Sequence, residues 1–254
     1  MFCTFLGTTE IARQMMRNLT VAVLVALCLP IFADEPATTD PNLADWGVPI
    51  NPAGDCSFTA SNEDLRIFVP GSETAHDLSP ELESSTAPRV VQSISGDFVI
   101  EVRIDSQFEP GDESTQAGRT GYVGAGLVVF ADDKNFVRLE RATLHRQAGD
   151  PRPYTNFEIR VNGQLERAGR VGELPADQAK PTWLRLERKG DLMLGSVSLD
   201  GNNWEHAEPK ELQAEAWMED GIVAGVAAIS TSKEHFEPRY SEFSLRQANV
   251  PNDK

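Results

Sequence analysis

The sequence is poor in cysteine, tyrosine and histidine, with three, three and four in 254 residues. Two of the cysteines, Cys3 and Cys28, lie in the first 33 residues. Loss of that segment would leave Cys56 alone, which excludes a disulfide within the remaining chain. A buried structural thiol is the expectation for Cys56, because free cysteine is among the most buried residue types. No local pattern pairs it with the histidine that a nucleophile needs. His76, His145, His206 and His235 show no zinc-ligand spacing, and no glycine-rich loop of the phosphate-cradling kind is present. Basic residues are also short: 23 Lys and Arg face 39 Asp and Glu, a formal charge of −16. That balance argues against nucleic acid and anionic membrane surfaces as partners, since both need clustered cations. Long apolar runs are missing too. The longest, Leu19 to Phe32, has fourteen residues interrupted by Thr20 and Pro30, and a spanning helix needs roughly 20.

What is present begins with that run. Arg13 and Arg17 precede it and Ile31-Phe32-Ala33 closes it before Asp34-Glu35, the order of a secretory signal peptide. Residues 1–33 are therefore expected to be a signal cleaved after Ala33, with Met15 and Met16 as alternative starts and an exported product, periplasmic or extracellular, without a transmembrane anchor. Leu27 before Cys28 does not fit the small residue that a lipidation site wants. Removal of the segment takes away Arg13, Arg17 and Glu10 and leaves 21 basic against 38 acidic residues. Residues 34–45, with Pro36, Thr38, Thr39, Asp40 and Pro41, read as a flexible linker. Residues 247–254 read as a polar tail.

Between them, residues 46–246 alternate apolar and polar with a period of two, the signature of half-buried strands. Phe98, Ile100, Val102 and Ile104 share one face of a strand, as do Val137 and Leu139, then Phe157, Ile159 and Val161, then Leu184 and Leu186. Pro70-Gly71, Pro110-Gly111-Asp112, Asn162-Gly163, Lys189-Gly190-Asp191 and Asp200-Gly201-Asn202-Asn203 supply turns between strands. Only residues 208–217 have the makings of a helix. About a dozen short strands at this spacing predict one all-β domain, an antiparallel two-sheet sandwich or barrel.

Several segments together resemble one family: Trp46-Gly47, Gly54-Asp55-Cys56, Val69-Pro70-Gly71, His76-Asp77-Leu78, Ala87-Pro88-Arg89-Val90, Gly96-Asp97-Phe98, the stretch Ala125-Gly126-Leu127, Asp132 to Glu140, and Ser198 to Trp204. The chain resembles the concanavalin A-like family of unknown function labelled "regulation of enolase protein 1-like", in its exported, planctomycete-type form, over most of residues 46–245. The resemblance implies a concanavalin A-like jelly roll of two antiparallel sheets. It implies no activity and transfers no catalytic residue, because fold does not fix function. The Glu-Xaa-Asp-Xaa-Xaa-Glu strand of related glycosidases is missing here.

The outward positions of the strands carry the candidate chemistry. Glu101 and Arg103, Arg138 and Glu140, Glu158 and Arg160, and Arg185 and Glu187 are each two residues apart and so share a sheet face. On one sheet they would form an Arg/Glu floor, Arg offering forked donors and Glu accepting from hydroxyls. The candidate ligand-binding residues are Arg138, Glu140, Glu158, Arg160, Arg185, Glu187 and Trp183, for a glycan, a cell-envelope component or another polar ligand. The competing reading of the same residues is a solvated face held by cross-strand ion pairs. An enzymatic alternative makes Glu140 and Glu158 an acid/base pair of a glycan hydrolase or lyase. Arg138, Arg160 and Arg185 nearby are expected to lower both carboxyl pKa values, which is wrong for a general acid. A third alternative is a structural or interaction domain of the envelope. Asp200-Gly201-Asn202-Asn203 before Trp204 resembles an Asp-box hairpin, in which Asp200 closes the turn. No cofactor is implied beyond Ca²⁺, for which Asp132, Asp133 and Asp200 offer oxygen ligands.

Overall fold

The computed structural model describes residues 41–61, 63–146, 151–212 and 221–247. The expected signal, most of the expected linker, residues 213–217 of the expected helix and residues 248–254 of the tail lie outside these. Among the described residues seventeen strands occur in chain order: β1 Val48–Ile50, β2 Ser57–Ala60, β3 Asp64–Phe68, β4 Leu78–Ser79, β5 Ser84–Ser85, β6 Arg89–Ser93, β7 Phe98–Ile104, β8 Tyr122–Asp132 and β9 Asn135–Leu144, followed by β10 Arg152–Val161, β11 Gln164–Arg167, β12 Thr182–Lys189, β13 Leu192–Ser198, β14 Glu205–His206, β15 Lys210–Glu211, β16 Val223–Ser230 and β17 Arg239–Gln247.

The all-β expectation is met by two large sheets in which every strand pair is antiparallel, a concanavalin A-like jelly roll. One sheet runs β1-β6-β16-β8-β9-β10-β11. The other runs β14-β13-β12-β7-β17-β3-β2, with β15 also pairing β13. Jumps such as β6 to β16 and β7 to β17 are the long-range pairings of a jelly roll rather than a simple meander. Two corrections apply at the margins. Pro41–Asp45, placed in the linker, forms a 3-10 turn whose Leu43 is buried in the core, so the ordered body starts before residue 46. Residues 210–211, placed in a helix, pair with Leu192 and Met193 as β15. Lys210 there docks on a strand edge, a tertiary contact that overrides weak helix propensity.

Alternation dictates the core. Ile100 and Val102 of β7 and Leu184 and Leu186 of β12 face Val137 and Leu139 of β9 and Phe157 and Ile159 of β10, and all eight are essentially inaccessible. Each such side chain contributes roughly 1.5–3 kcal/mol by leaving water. β8 breaks the alternation: residues 123–130 are buried without interruption. Its outward residues Val128 and Phe130 join Phe136, Val91, Ala227 and Ile229 in a second apolar cluster, closed from outside by Leu78 and Ala87. A strand covered on both faces reads as a continuous apolar run. The cover is the segment 75–87, which contains β4, β5 and a 3-10 turn at Pro80–Leu82. It is pinned by Thr86, whose hydroxyl donates to the Ala75 carbonyl at 2.6 Å, and by Asp77, whose carbonyl accepts from the Thr86 amide at 2.9 Å. The seven-stranded sheet therefore carries a roof over part of its outer face. Among the described residues no helix is long and apolar enough to cross a membrane.

Candidate functional site

The roof stops short of the far end of β8, β9 and β10, and the gap is a cleft of about 580 Å³. Tyr122, Arg138, Tyr154 and Arg160 rise from the sheet, Asp77 and Glu81 come from the roof, and Gln116, Arg119 and Thr120 from the loop before β8. That loop is held by the turn after β16: Thr115 donates its amide to the Thr231 carbonyl at 2.8 Å, and Thr231 donates to the Tyr122 carbonyl at 2.9 Å. Gln116 ties loop to roof, donating from Nε2 to Asp77 Oδ2 at 2.9 Å.

Register explains the floor. β9 and β10 pair so that Arg138 stands opposite Glu158 and Glu140 opposite Asn156. Arg138 donates through Nη2 to Glu158 Oε2 at 2.7 Å, with Nε at 3.2 Å. Arg160 Nε donates to the other oxygen of Glu158 at 2.6 Å, and its Nη1 reaches Glu81 of the roof. Glu140 accepts from the Tyr122 hydroxyl at 2.5 Å and from Asn156 Nδ2 at 2.9 Å. Neither Glu140 nor Glu158 lines the cleft; Glu158 lies behind the two guanidinium groups and fixes their direction, while Glu140 is buried beside Arg138 at 3.5 Å. Two polar atoms in this buried cluster have no hydrogen-bond partner, Glu140 Oε2 and Arg138 Nη1, the latter 4.0 Å from Asp77 Oδ1.

The electrostatics split the two carboxyls. Burial works to raise both. At Glu158 the two arginines outweigh it and hold the group below the usual range. At Glu140 burial prevails over Arg138, and the group sits above the usual range. The expectation that the arginines lower both is thus corrected for Glu140. Arg138 resists its own burial because Glu140 and Glu158 hold it firmly charged. The Tyr122 hydroxyl is raised, first by burial and then by Glu140, and it remains a neutral donor.

The expected single Arg/Glu floor does not form. β9 and β10 belong to one sheet and β7 and β12 to the other, so Arg185, Glu187 and Trp183 stand on the opposite side of the sandwich from Arg138, Glu140, Glu158 and Arg160. The reason is connectivity: the alternation of a strand states which side chains share a face, not which sheet the strand joins. On that other face Arg185 donates through Nε to Glu101 at 2.9 Å and stacks over Trp204 at 3.8 Å. Arg103 lies over Trp183, whose Nε1 donates to Glu242 at 2.9 Å. A second hollow, of about 440 Å³, opens there beside a bulge in β17, but Arg103 and Arg239 in it already hold Asp105 and Asp64 at 2.7 Å.

Sequence reasoning missed Tyr122, at the first position of β8, and Gln116, Arg119, Asp77 and Glu81, which reach the cleft only through the roof and loop; no periodic signal marks such segments. Of the calcium candidates, Asp133 accepts from the Ser85 hydroxyl at 2.6 Å, and Asp132 and Asp200 close turns. Asp132 Oδ1 accepts from the amides of Lys134 and Asn135 at 2.7 and 2.9 Å, and Asp200 Oδ1 accepts from those of Asn202 and Asn203 at 2.8 and 2.7 Å. Those four amide bonds occupy lone pairs that a cation would need.

No protein-family model and no curated protein matches the sequence. Solved structures do match. A functionally unknown protein from Saccharomyces cerevisiae is 16% identical with a TM-score of 0.59, covering 82% of this chain and 100% of that one. A xylan β-1,4-xylosidase from Bacillus halodurans C-125 is 14% identical with a TM-score of 0.50, over 75% of this chain and 38% of the enzyme. The GH43 protein BlXynB from Bacillus licheniformis is likewise 14% identical with a TM-score of 0.50, over 74% and 34%. The chain spans little more than a third of the length of the two Bacillus proteins, and at these identities the likeness establishes the fold alone, a β-sandwich.

Proposed function

We propose that the chain is an exported, lectin-like member of the concanavalin A-like group its motifs resemble, which binds a glycan or another polyhydroxylated ligand in the cleft beside the roof. The carrying observation is the pair Arg138 and Arg160, whose guanidinium groups line the cleft while Glu158 beneath holds both from behind. Donors fixed before the ligand arrives lose little freedom on binding, which is the source of affinity in a preorganised site. Tyr122 and Tyr154, with ring centres 6.3 Å apart, add aromatic edges of the kind that pack on sugar rings. A volume near 580 Å³ is within the ordinary range for small-molecule sites.

Binding is favoured over hydrolysis or elimination because both carboxyls of the supposed acid/base pair are sealed. Glu140 lies under Tyr122 and Asn156, and Glu158 is committed to two arginines. The exported location is part of this proposal and rests on the signal-like sequence of residues 1–33. The test is glycan-array binding by the chain without that signal, followed by titration of Arg119→Ala, an exposed cleft residue, and Arg185→Ala on the opposite face. Affinity for the captured glycan should fall roughly tenfold, about 1.4 kcal/mol, in the first variant and stay unchanged in the second. A blank array with folded protein, or equal losses in both variants, would overturn the reading.

A further inference from the structure

Outside the cleft, three side chains of different metal-ligand type converge: Asp55, Cys56 and His76, whose donor atoms all lie within 4.8 Å of one another. His76 Nε2 is 2.9 Å from Asp55 Oδ1, and Cys56 Sγ is 3.4 Å from the same oxygen. Ligand atoms of a tetrahedral zinc centre, with bonds of roughly 2.0–2.3 Å, stand about 3.3–3.8 Å apart, so these atoms need shift little to bracket one ion. The frame that presents them is built independently of any ion. Asn51 Oδ1 accepts from the amides of Gly54 and Cys56, and its Nδ2 donates to the Cys56 carbonyl at 2.8 Å. His76 is fixed from the other side by a reciprocal pair of backbone bonds with Ser230, both 2.9 Å.

Charge and access agree with this arrangement. A thiolate and a carboxylate carry two negative charges and imidazole none, so a divalent cation makes the set neutral, which suits a half-buried position. The imidazole is buried at 1% exposure while the Asp55 side chain keeps 34%, leaving a path to solvent on the carboxylate side. The donor set of one sulfur, one nitrogen and one oxygen selects a borderline transition metal over calcium or magnesium, which want oxygen alone. The spacing hides the site from sequence inspection, because Cys56 and His76 are twenty positions apart and no regular motif joins them.

We propose that Asp55, Cys56 and His76 bind a divalent transition metal, zinc by donor preference, with a fourth position open to water. Bound there, the ion ties the turn at 51–56 to the first residues of the roof, since His76 is followed directly by Asp77 of the cleft. Cobalt(II) titrated into the reduced full chain tests this. The expected result is one ion per chain, a near-ultraviolet thiolate-to-cobalt charge-transfer band, strong four-coordinate visible bands, and displacement by an equivalent of zinc. Cys56→Ser should abolish the charge-transfer band. Asp55→Asn changes a partly exposed group and so preserves the fold; it should weaken cobalt binding roughly tenfold or more. Cobalt uptake with no thiolate band, or an Asp55→Asn chain that binds as tightly as the parent, would overturn the assignment.

Discussion

Both outer faces of the sandwich carry arginine and glutamate at alternate positions, and the two sets have opposite surroundings. On the eight-stranded sheet, Arg103, Arg185 and Arg246 reach Glu242 and Glu101 across strands at 2.6–2.9 Å and stay open to solvent on one side, with Arg185 27%, Arg103 32% and Arg246 66% exposed. On the seven-stranded sheet, Arg138, Glu140, Glu158 and Arg160 make bonds of similar length, but the roof and the two tyrosines leave each side chain at most 11% exposed. The same residue pattern thus gives a solvated lattice in one place and a buried, directed network in the other. In the lattice, each ion pair competes with hydration and contributes little. In the network, losing one partner strands a charge away from water.

The largest predicted contrast follows. Glu158→Ala leaves Arg138 and Arg160 without their shared carboxylate and should cost about 3–5 kcal/mol in urea unfolding. Glu101→Ala, which also removes the partner of two arginines, should cost about 1 kcal/mol or less. Equal losses would mean that the roof does not dehydrate the network. Next in size is Gly124→Ala. A Cβ there would stand 2.6 Å from Glu140 Oε2 and 2.9 Å from the Tyr122 hydroxyl, overfilling the space under the tyrosine at a cost of about 1–3 kcal/mol. A neutral outcome would show that the Glu140 carboxyl moves freely, contrary to a fixed floor.

The difference between the faces also shows where sequence reading stops. Strands and their inward residues were legible because alternation is a local property: Ile100, Leu139, Phe157 and Leu184 lie in the core as their spacing required. Partition of the strands between sheets was not, since β7, β9, β10 and β12 look alike one at a time and differ only in distant partners. The single sign of a roof was β8, whose run Gly124 to Phe130 lacks outward polar residues; a strand so apolar on both sides needs a cover. That cover, residues 75–87, carries Asp77 and Glu81 to the cleft and His76 to Cys56, contacts set by tertiary closure alone.

Smaller effects come from pH. Glu158, held below its ordinary value of 4.5, adds stability that is present above that value and lost as pH falls through the lower folded-state value. Glu140, held above 4.5, has the opposite sign: its contribution is full below 4.5 and lost as pH rises through the folded-state value. Replacing each with glutamine should therefore tilt the stability profile in opposite directions. Glu158→Gln removes part of the acid-side loss; Glu140→Gln removes part of the decline from pH 4 towards pH 7. Urea midpoints measured from well below pH 4.5 up to pH 7 decide it, and parallel profiles would show that the two carboxyls share one environment.

The finest contrast is in salt. At 0.15 M the screening length is about 8 Å and at 1 M about 3 Å, so ions enter between exposed charges but not beneath a roof. The stability difference between the parent and Glu101→Ala, a few tenths of a kcal/mol at low salt, should vanish by about 1 M sodium chloride. The difference between the parent and Glu158→Ala should keep most of its size, because Glu158 is only 7% exposed beneath Arg138 and Arg160. If salt erases both differences alike, ions reach the floor and Arg138 and Arg160 are hydrated rather than preorganised. The cleft would then have no advantage over the lattice as a binding surface. Persistence of the Glu158 difference alone would mean that the donors facing the cleft are held from behind by a charge that salt does not reach.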